Sequence, residues 1–325
     1  MTQDAPCVNP GRPSVKVRGL HESEIEESDR IMRLAFGTFL GLPDPMQFAG
    51  DAGYARGRWL NCPETCFAAE LDGQLVGTCF ASRWGSVGYF GPITTLPSVW
   101  DKGIGQRLMA PAIEALDARG VRHIGLFTFP HSAKHAVLYE RFGFWPRFLT
   151  RIMTRPARTA VSPPQCVRFS DIPEAERDTY LAACREATSL LFEGLDLSGD
   201  IRHVHKNVLG ETLLVLEKDR VAGFAMCHQG AGTEAGSRAC LVKFATVRSD
   251  SNKHENLGLL LGACEAYASE RGAAVVTVSA NTACNEVCKY LKSNGFRIEI
   301  QGVAMQRPNE PGYYHPENFV LDDWR

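Results

Sequence analysis

The chain repeats itself, and the repeat restricts its architecture to two copies of one unit. "DARGVRHIGLFTF" from residue 117 matches "SERGAAVVTVSA" from residue 269, which sets Gly120 on Gly272. At the same offset "FGFWPRFLTRIMTRP" (142–156) meets "NGFRIEIQGVAMQRP" (294–308), so Gly143 falls on Gly295, Phe144 on Phe296 and Met153 on Met305. Upstream, "AELDGQLVGT" (69–78) resembles "VLEKDRVAGF" (215–224), each a strand–turn–strand signature, and "KVRGL" and "CVRFS" open the two halves. One offset held across separate motifs identifies two copies of one structural unit. The expected organisation is a flexible tail (1–14), a first copy (15–156), a polar linker stiffened by Pro163 and Pro164 (157–165), a second copy (166–308) and a tail (309–325). That tail, ending in "GYYHPENFVLDDWR", is aromatic and acidic, the composition of a segment that docks onto a domain.

At 325 residues each copy has enough chain to bury its own core. The 44% hydrophobic and 22% charged content is that of an ordinary globular protein, and a net charge of −2 gives no reason to expect nucleic acid or an anionic membrane as partner. No apolar run reaches a membrane span, and the first residues hold no apolar signal core. The 11 cysteines include no C-x-x-C pair; Cys62/Cys66 and Cys284/Cys288 are the closest spacings. The expectation is therefore a cytoplasmic protein with reduced thiols and no metal site. Monomer and homodimer both stay open, since fused copies can replace a dimer or form one.

Within the first copy the pattern is mixed α/β. Residues 15–20 predict a strand and 22–38 an amphipathic helix opened by acidic residues. A hairpin follows around Asp72-Gly73, a preferred two-residue turn. "YFGPITTL" is a further strand, a helix runs from Gly103 to the stop at Gly120, and Pro111 is expected to kink it. "HIGLFTF", "SAKHAVLYERF" and "RFLTRIMT" then predict strand, helix and closing strand.

The stretch "LPSVWDKGIGQRLM" (96–109) lies between a strand and that helix. A helix start offers unpaired N–H groups and the positive end of the dipole, which favour phosphate oxygens. Gly103 and Gly105 permit close backbone approach, and Lys102 adds charge. A plain tight turn would use the same glycines, so the stretch alone leaves both readings open.

The order of elements, together with two motifs, resembles the GNAT superfamily of acetyl-CoA-dependent N-acyltransferases over residues 15–156. The first motif, Gln/Arg-x-x-Gly-x-Gly/Ala, stands here as Trp100-Asp101-Lys102-Gly103-Ile104-Gly105, with Trp100 departing from the usual Gln or Arg. The second stands as "SAKHAVLYERFGF", with Ser132 at the Asn position and His135 at the Ala position, while Tyr139, Gly143 and Phe144 match. The resemblance implies two tandem GNAT-like domains of the α/β (α+β) class, each a mixed, mostly antiparallel sheet flanked by helices. It implies acetyl-CoA as cofactor, held along Thr94, Thr95, Trp100 to Gln106, Ser132 and His135, and a small-molecule or peptide amine as acceptor. The strand "PITTL" would pair with the pantetheine arm beside a β-bulge, and an N–H near Thr95 would polarise the thioester carbonyl. Tyr139 would protonate the departing thiolate, or be a packed aromatic. His131 is the candidate base, set against an ordinary surface or helix-cap histidine. Glu140 faces away from Tyr139 on a helix and is discounted. Acceptor recognition is expected in 36–60, with Phe36, Phe39, Phe48, Tyr54 and Trp59; a helical pair packing its own core is the alternative.

In the second copy Gly103 and Gly105 fall on Glu255 and Leu257, and Tyr139 falls on Leu291, with Tyr290 one residue earlier. The second copy therefore reads as degenerate, with a shifted loop in "SDSNKHENLG" left open. An N-acetyltransferase with its chemistry in the first copy is the leading reading. A non-catalytic acyl-CoA-binding protein, or a tandem enzyme using both copies, stands beside it.

Overall fold

Alternating apolar residues and a left-handed Asp72-Gly73 pair (φ 51° and 80°) build the first meander. The computed structural model describes residues 15–158, 162–163, 165–218, 220–248 and 252–325; the expected tail 1–14 and part of the 157–165 linker lie outside them. The front half runs β1 (Lys16–Gly19), α1 (Ile25–Phe39), α2 (Ala55–Asn61), β2 (Cys66–Leu71), β3 (Gln74–Trp84) and β4 (Val87–Thr95). It continues with α3 (Ile104–Asp117), β5 (His123–Thr128), α4 (Ala133–Glu140) and β6 (Trp145–Pro156). The back half runs β7 (Cys166–Arg168), α5 (Arg177–Ser189), α6 (Ser198–Lys206), β8 (Gly210–Glu217), β9 (Arg220–Gly230) and β10 (Gly236–Val247). There follow α7 (Lys253–Glu270), β11 (Val275–Asn281), α8 (Asn285–Ser293), β12 (Arg297–Arg307) and β13 (Phe319–Asp322).

All these strands form one mixed, mostly antiparallel sheet in the order β1-β2-β3-β4-β5-β12-β6-β11-β10-β9-β8-β7, with β13 against β10. The closing strands are exchanged between the copies. β12 pairs with β5 (Val303–Arg307 against Thr128–Ile124), while β6 pairs with β11 (Thr150–Pro156 against Asn281–Val275). β6 and β12 also pair with each other, so the two halves share one continuous ladder.

The two faces of the front sheet separate cleanly by strand alternation. Cys66, Ala68 and Phe80 pack with Leu20, Ile25 and Ala55 beneath α1 and α2. Ala69, Cys79 and Ala81 face the other way, into a core with Ile104, Leu108 and Met109 of α3 and with Tyr139 and Phe144. Helix α3 runs uninterrupted through Pro111, which forgoes the bond its missing N–H would make to Arg107. No helix among the described residues is long and apolar enough to cross a membrane, and the ten described cysteines are free.

Candidate active site

The site begins where two strands part. β4 and β5 pair in parallel only from Val87–Tyr89 to His123–Gly125. Beyond that rung β4 follows β3 and β5 follows β12, which opens a slot between them. On β4, Phe90 stands opposite Ala81 and Ile93 opposite Cys79, so Gly91 and Pro92 form a bulge. The inserted residue resets the alternation, and Phe90 and Ile93 both pack toward the α3 core. Pro92 lacks an N–H and so occupies a position that donates no ladder bond. The Leu96 N–H donates to the Val76 carbonyl at 2.9 Å, so the main-chain groups of Ile93 and Thr95 point into the slot.

At the wide end of the slot the loop turns through Asp101 (φ 65°) and Gly103 (φ 72°) before α3 starts at Ile104. The first amides of α3 have no intrahelical acceptor and lie at the positive end of its dipole. Space is open where a Cβ of Gly103 would stand. The Trp100 indole N–H donates to the Thr95 carbonyl at 3.0 Å, and Lys134, in the first turn of α4, pairs with Asp101.

A cleft of about 1320 Å³ runs from this loop to the apex of the slot. Thr94, Thr95, Trp100, Asp101, Gly103, Ile104, Gly105, Gln106, Ser132 and His135 all line it, and so does Tyr139. Lys102 is exposed and outside the lining. Tyr139 is 7% exposed, edge-on to Phe90 at 6.0 Å, with the Thr128 hydroxyl as hydrogen-bonding neighbour. Burial pushes its pKa up, helped by Cys79, so the phenol keeps its proton.

His131, the candidate base, is exposed, stacks on Phe39 at 5.9 Å and lies outside the lining. His135 is half-buried in the cleft, 5.3 Å from Phe39 and 6.4 Å from Tyr139 between ring centroids. Burial, then the charges of Lys134 and His131, lower its pKa and keep it neutral. Thr95 sits at the wide end beside the glycine loop, and the bulge and apex lie three to four residues earlier.

Phe36, Phe39, Phe48 and Tyr54 form one wall, all from the 36–60 segment. The facing wall comes from the back half, through Glu234, Glu299, Trp324 and Arg325, none of which the sequence singled out. Burial beside Arg58 and Lys243 leaves Glu234 ionised, well below the ordinary carboxylate range, because the two cations outweigh desolvation. A local signal existed only for the tail, whose aromatic residues marked it as a docking segment.

The back half has the same parting of strands with different contents. β10 and β11 pair only from Ala239–Leu241 to Val275–Thr277, and β13 enters the gap, pairing Phe319–Asp322 with Val247–Phe244. At the repeat offset the loop Asp101–Gly103 falls on Lys253–Glu255, which are already helical in α7. Leu257 and Leu291 are buried in the core. Strand and helix thus fill the space that the front half leaves open.

Residues 30–144 match the family model described as the acetyltransferase (GNAT) family. The whole chain has the tandem GNAT fold. Its fold is similar to that of a Pyrococcus horikoshii protein over 99% of both chains, at 14% identity and a TM-score of 0.70. A GCN5-related N-acetyltransferase from Sphaerobacter thermophilus is similar over 90% of this chain and 95% of its own, at 12% identity and a TM-score of 0.58. A tandem GNAT protein from the clavulanic acid biosynthesis pathway is similar over 90% and 98%, at 11% and 0.55. No curated protein matches this chain.

Proposed function

We propose that the chain transfers an acetyl group from acetyl-CoA to the amine of a small-molecule or peptide acceptor, with the chemistry in its front half. The carrying observation is the place of Tyr139, a protonated phenol lining the cleft on the α3 side of the slot. The first-turn amides of α3 suit a diphosphate, and the slot-facing groups of Ile93 and Thr95 suit an amide-bearing arm, as a free edge suits an added strand. The thioester, when bound, supplies an activated acyl carbon. The Ile93 N–H lies nearer the bulge than that of Thr95 and takes the carbonyl-polarising role.

Tyr139 Oη gives its proton to the departing sulfur. The aromatic wall of Phe36, Phe39 and Phe48 strips water from an entering ammonium and favours its neutral form. Neutral His135 takes the proton that the amine loses on attack. The back half serves as scaffold and as one wall of the cleft.

An amine panel with free-thiol detection tests this reading. Tyr139→Phe should lower turnover about 10²–10⁴-fold with little change in CoA affinity; unchanged turnover removes the acid role. The second reading is a protein that binds coenzyme without turning it over. It draws support from the near-complete burial of Tyr139 against Phe90. Coenzyme binding with no thiol released by any amine would favour it.

A further inference from the structure

The slot ends where β4 and β5 part, and each strand carries a glycine there. Gly91 lies in the bulge, and Gly125 stands opposite Tyr89 at the last shared rung. Gly125 is not among the residues with positive φ, so backbone conformation does not explain its missing side chain. Its neighbours do. A Cβ at Gly125 would fall 2.2–2.5 Å from three ring carbons of Trp324. A Cβ at Gly91 would lie 3.5 Å from the Trp324 carbonyl oxygen. Ile124 and Leu126 belong to the core under α3, so strand alternation turns Gly125 to the opposite face. Trp324 therefore closes the apex from the side opposite Tyr139.

The indole is held firmly. Its N–H donates to Tyr313 Oη at 3.1 Å, and Tyr313 and Tyr314 both donate to Asp322 Oδ2 at 2.6 Å. The Asp323 N–H donates to the Lys243 carbonyl at 3.0 Å, and Ser279 Oγ donates to Asp323 Oδ2 at 2.9 Å. Moving the ring means breaking these bonds and lifting the tail from β10. Trp324 is thus a fixed floor.

We propose that Trp324 is a specificity-determining residue, setting the depth of the acceptor side of the cleft and so favouring amines on a narrow, unbranched carbon over bulky ones. The inference rests on the acyl-transfer reading for its direction: the glycine loop and Tyr139 occupy one face, and the amine comes from the other, where the indole stands. Gly125 is the counterpart that lets the ring lie against β5.

The test compares the full native chain with Trp324→Ala, using n-butylamine, benzylamine and 2-naphthylmethylamine. With acetyl-CoA, Trp324→Ala should raise the kcat/KM ratio of 2-naphthylmethylamine to n-butylamine at least tenfold. By calorimetry in the presence of CoA, the same variant should bind 2-naphthylmethylamine at least tenfold more tightly. Equal affinity of both proteins for that amine overturns the proposal, whether or not either turns over. Tighter binding by the variant with no thiol release from either protein supports the floor and overturns the acyl-transfer reading alone. Should Trp324→Ala fail to fold, Trp324→Phe keeps the apolar contact and must show the same shift, smaller in size; no shift there overturns the proposal.

Discussion

Arg58 of the front half and Glu234 of the back half meet at 2.7 Å with both side chains buried. Lys243 reaches the other oxygen of Glu234 at 2.8 Å, and Arg58 also donates to the main-chain oxygen of Arg325. The Glu234 carboxylate therefore ties α2 to β10, and Arg58 in turn holds the tail. Removing that carboxylate leaves two cations buried without their partner, whereas a well-packed apolar pair would carry no such penalty. Glu234→Gln should destabilise the protein by about 3–5 kcal/mol, measured by urea unfolding. Adding Arg58→Met to Glu234→Gln should cost less than the sum of the two single changes. Strict additivity would mean that the pair does not couple the halves.

Gly103 and Gly120 flank α3 with nearly equal left-handed angles, φ 72° and 73°, and each has open space where a Cβ would stand. A valine at either position is strained by about 1–2 kcal/mol through backbone conformation alone. Only Gly103 belongs to the loop proposed to hold the coenzyme diphosphate. Gly103→Val should weaken CoA binding roughly 5–30-fold, the factor that such an energy represents. Gly120→Val should lower thermal stability and leave CoA affinity as it was. Equal affinity in both variants would separate the loop from the coenzyme.

The meander and the glycine loop were legible because each is set by neighbours in sequence. Asp72 and Gly73 tolerate positive φ, and the alternation on β2 and β3 sorts their side chains between two faces. Strand exchange was not legible. The closing strands of the two copies end in matched "MTRP" and "MQRP", so local pattern is compatible with either partner, and only the assembled sheet selects one. Glu234 reaches the cleft through that assembly and carries no local mark of it, whereas Trp324 belongs to the tail whose aromatic residues marked it for docking. The position of the bulge was readable, since Gly91-Pro92 inside a strand is a bulge signal.

Two buried groups titrate in opposite senses. Burial lowers His228 from 6.5 to about 4, so the unfolded chain takes up the proton first as pH falls. Its contribution is present above pH 6.5 and is lost toward pH 4. Burial raises Asp322 from 3.8 to about 7, against the hydrogen bonds from Tyr313 and Tyr314, so the folded chain keeps a proton that the unfolded chain has released. That contribution is present below pH 3.8 and is lost as pH rises through 7. His228→Gln should flatten the fall in Tm between neutral and acid pH, and Asp322→Asn should steepen it. The reverse order in a scanning-fluorimetry series would contradict both assignments.

The proposed scaffold role of the back half rests on two separate features, and they can be separated by experiment. β13 fills the gap between β10 and β11, and α7 begins one turn too early to leave a loop at its start. Calorimetry on the native chain should therefore count one CoA per chain, and two would overturn the scaffold reading. Leu321 is fully buried on β13, and Leu321→Ala should cost about 2–5 kcal/mol of stability by the cavity it leaves. That variant loosens the strand but leaves α7 unaltered, with Glu255 in its first turn repelling phosphate. One CoA per chain should again be counted. A second site appearing only in Leu321→Ala would make the strand, and not the helix, what keeps coenzyme out.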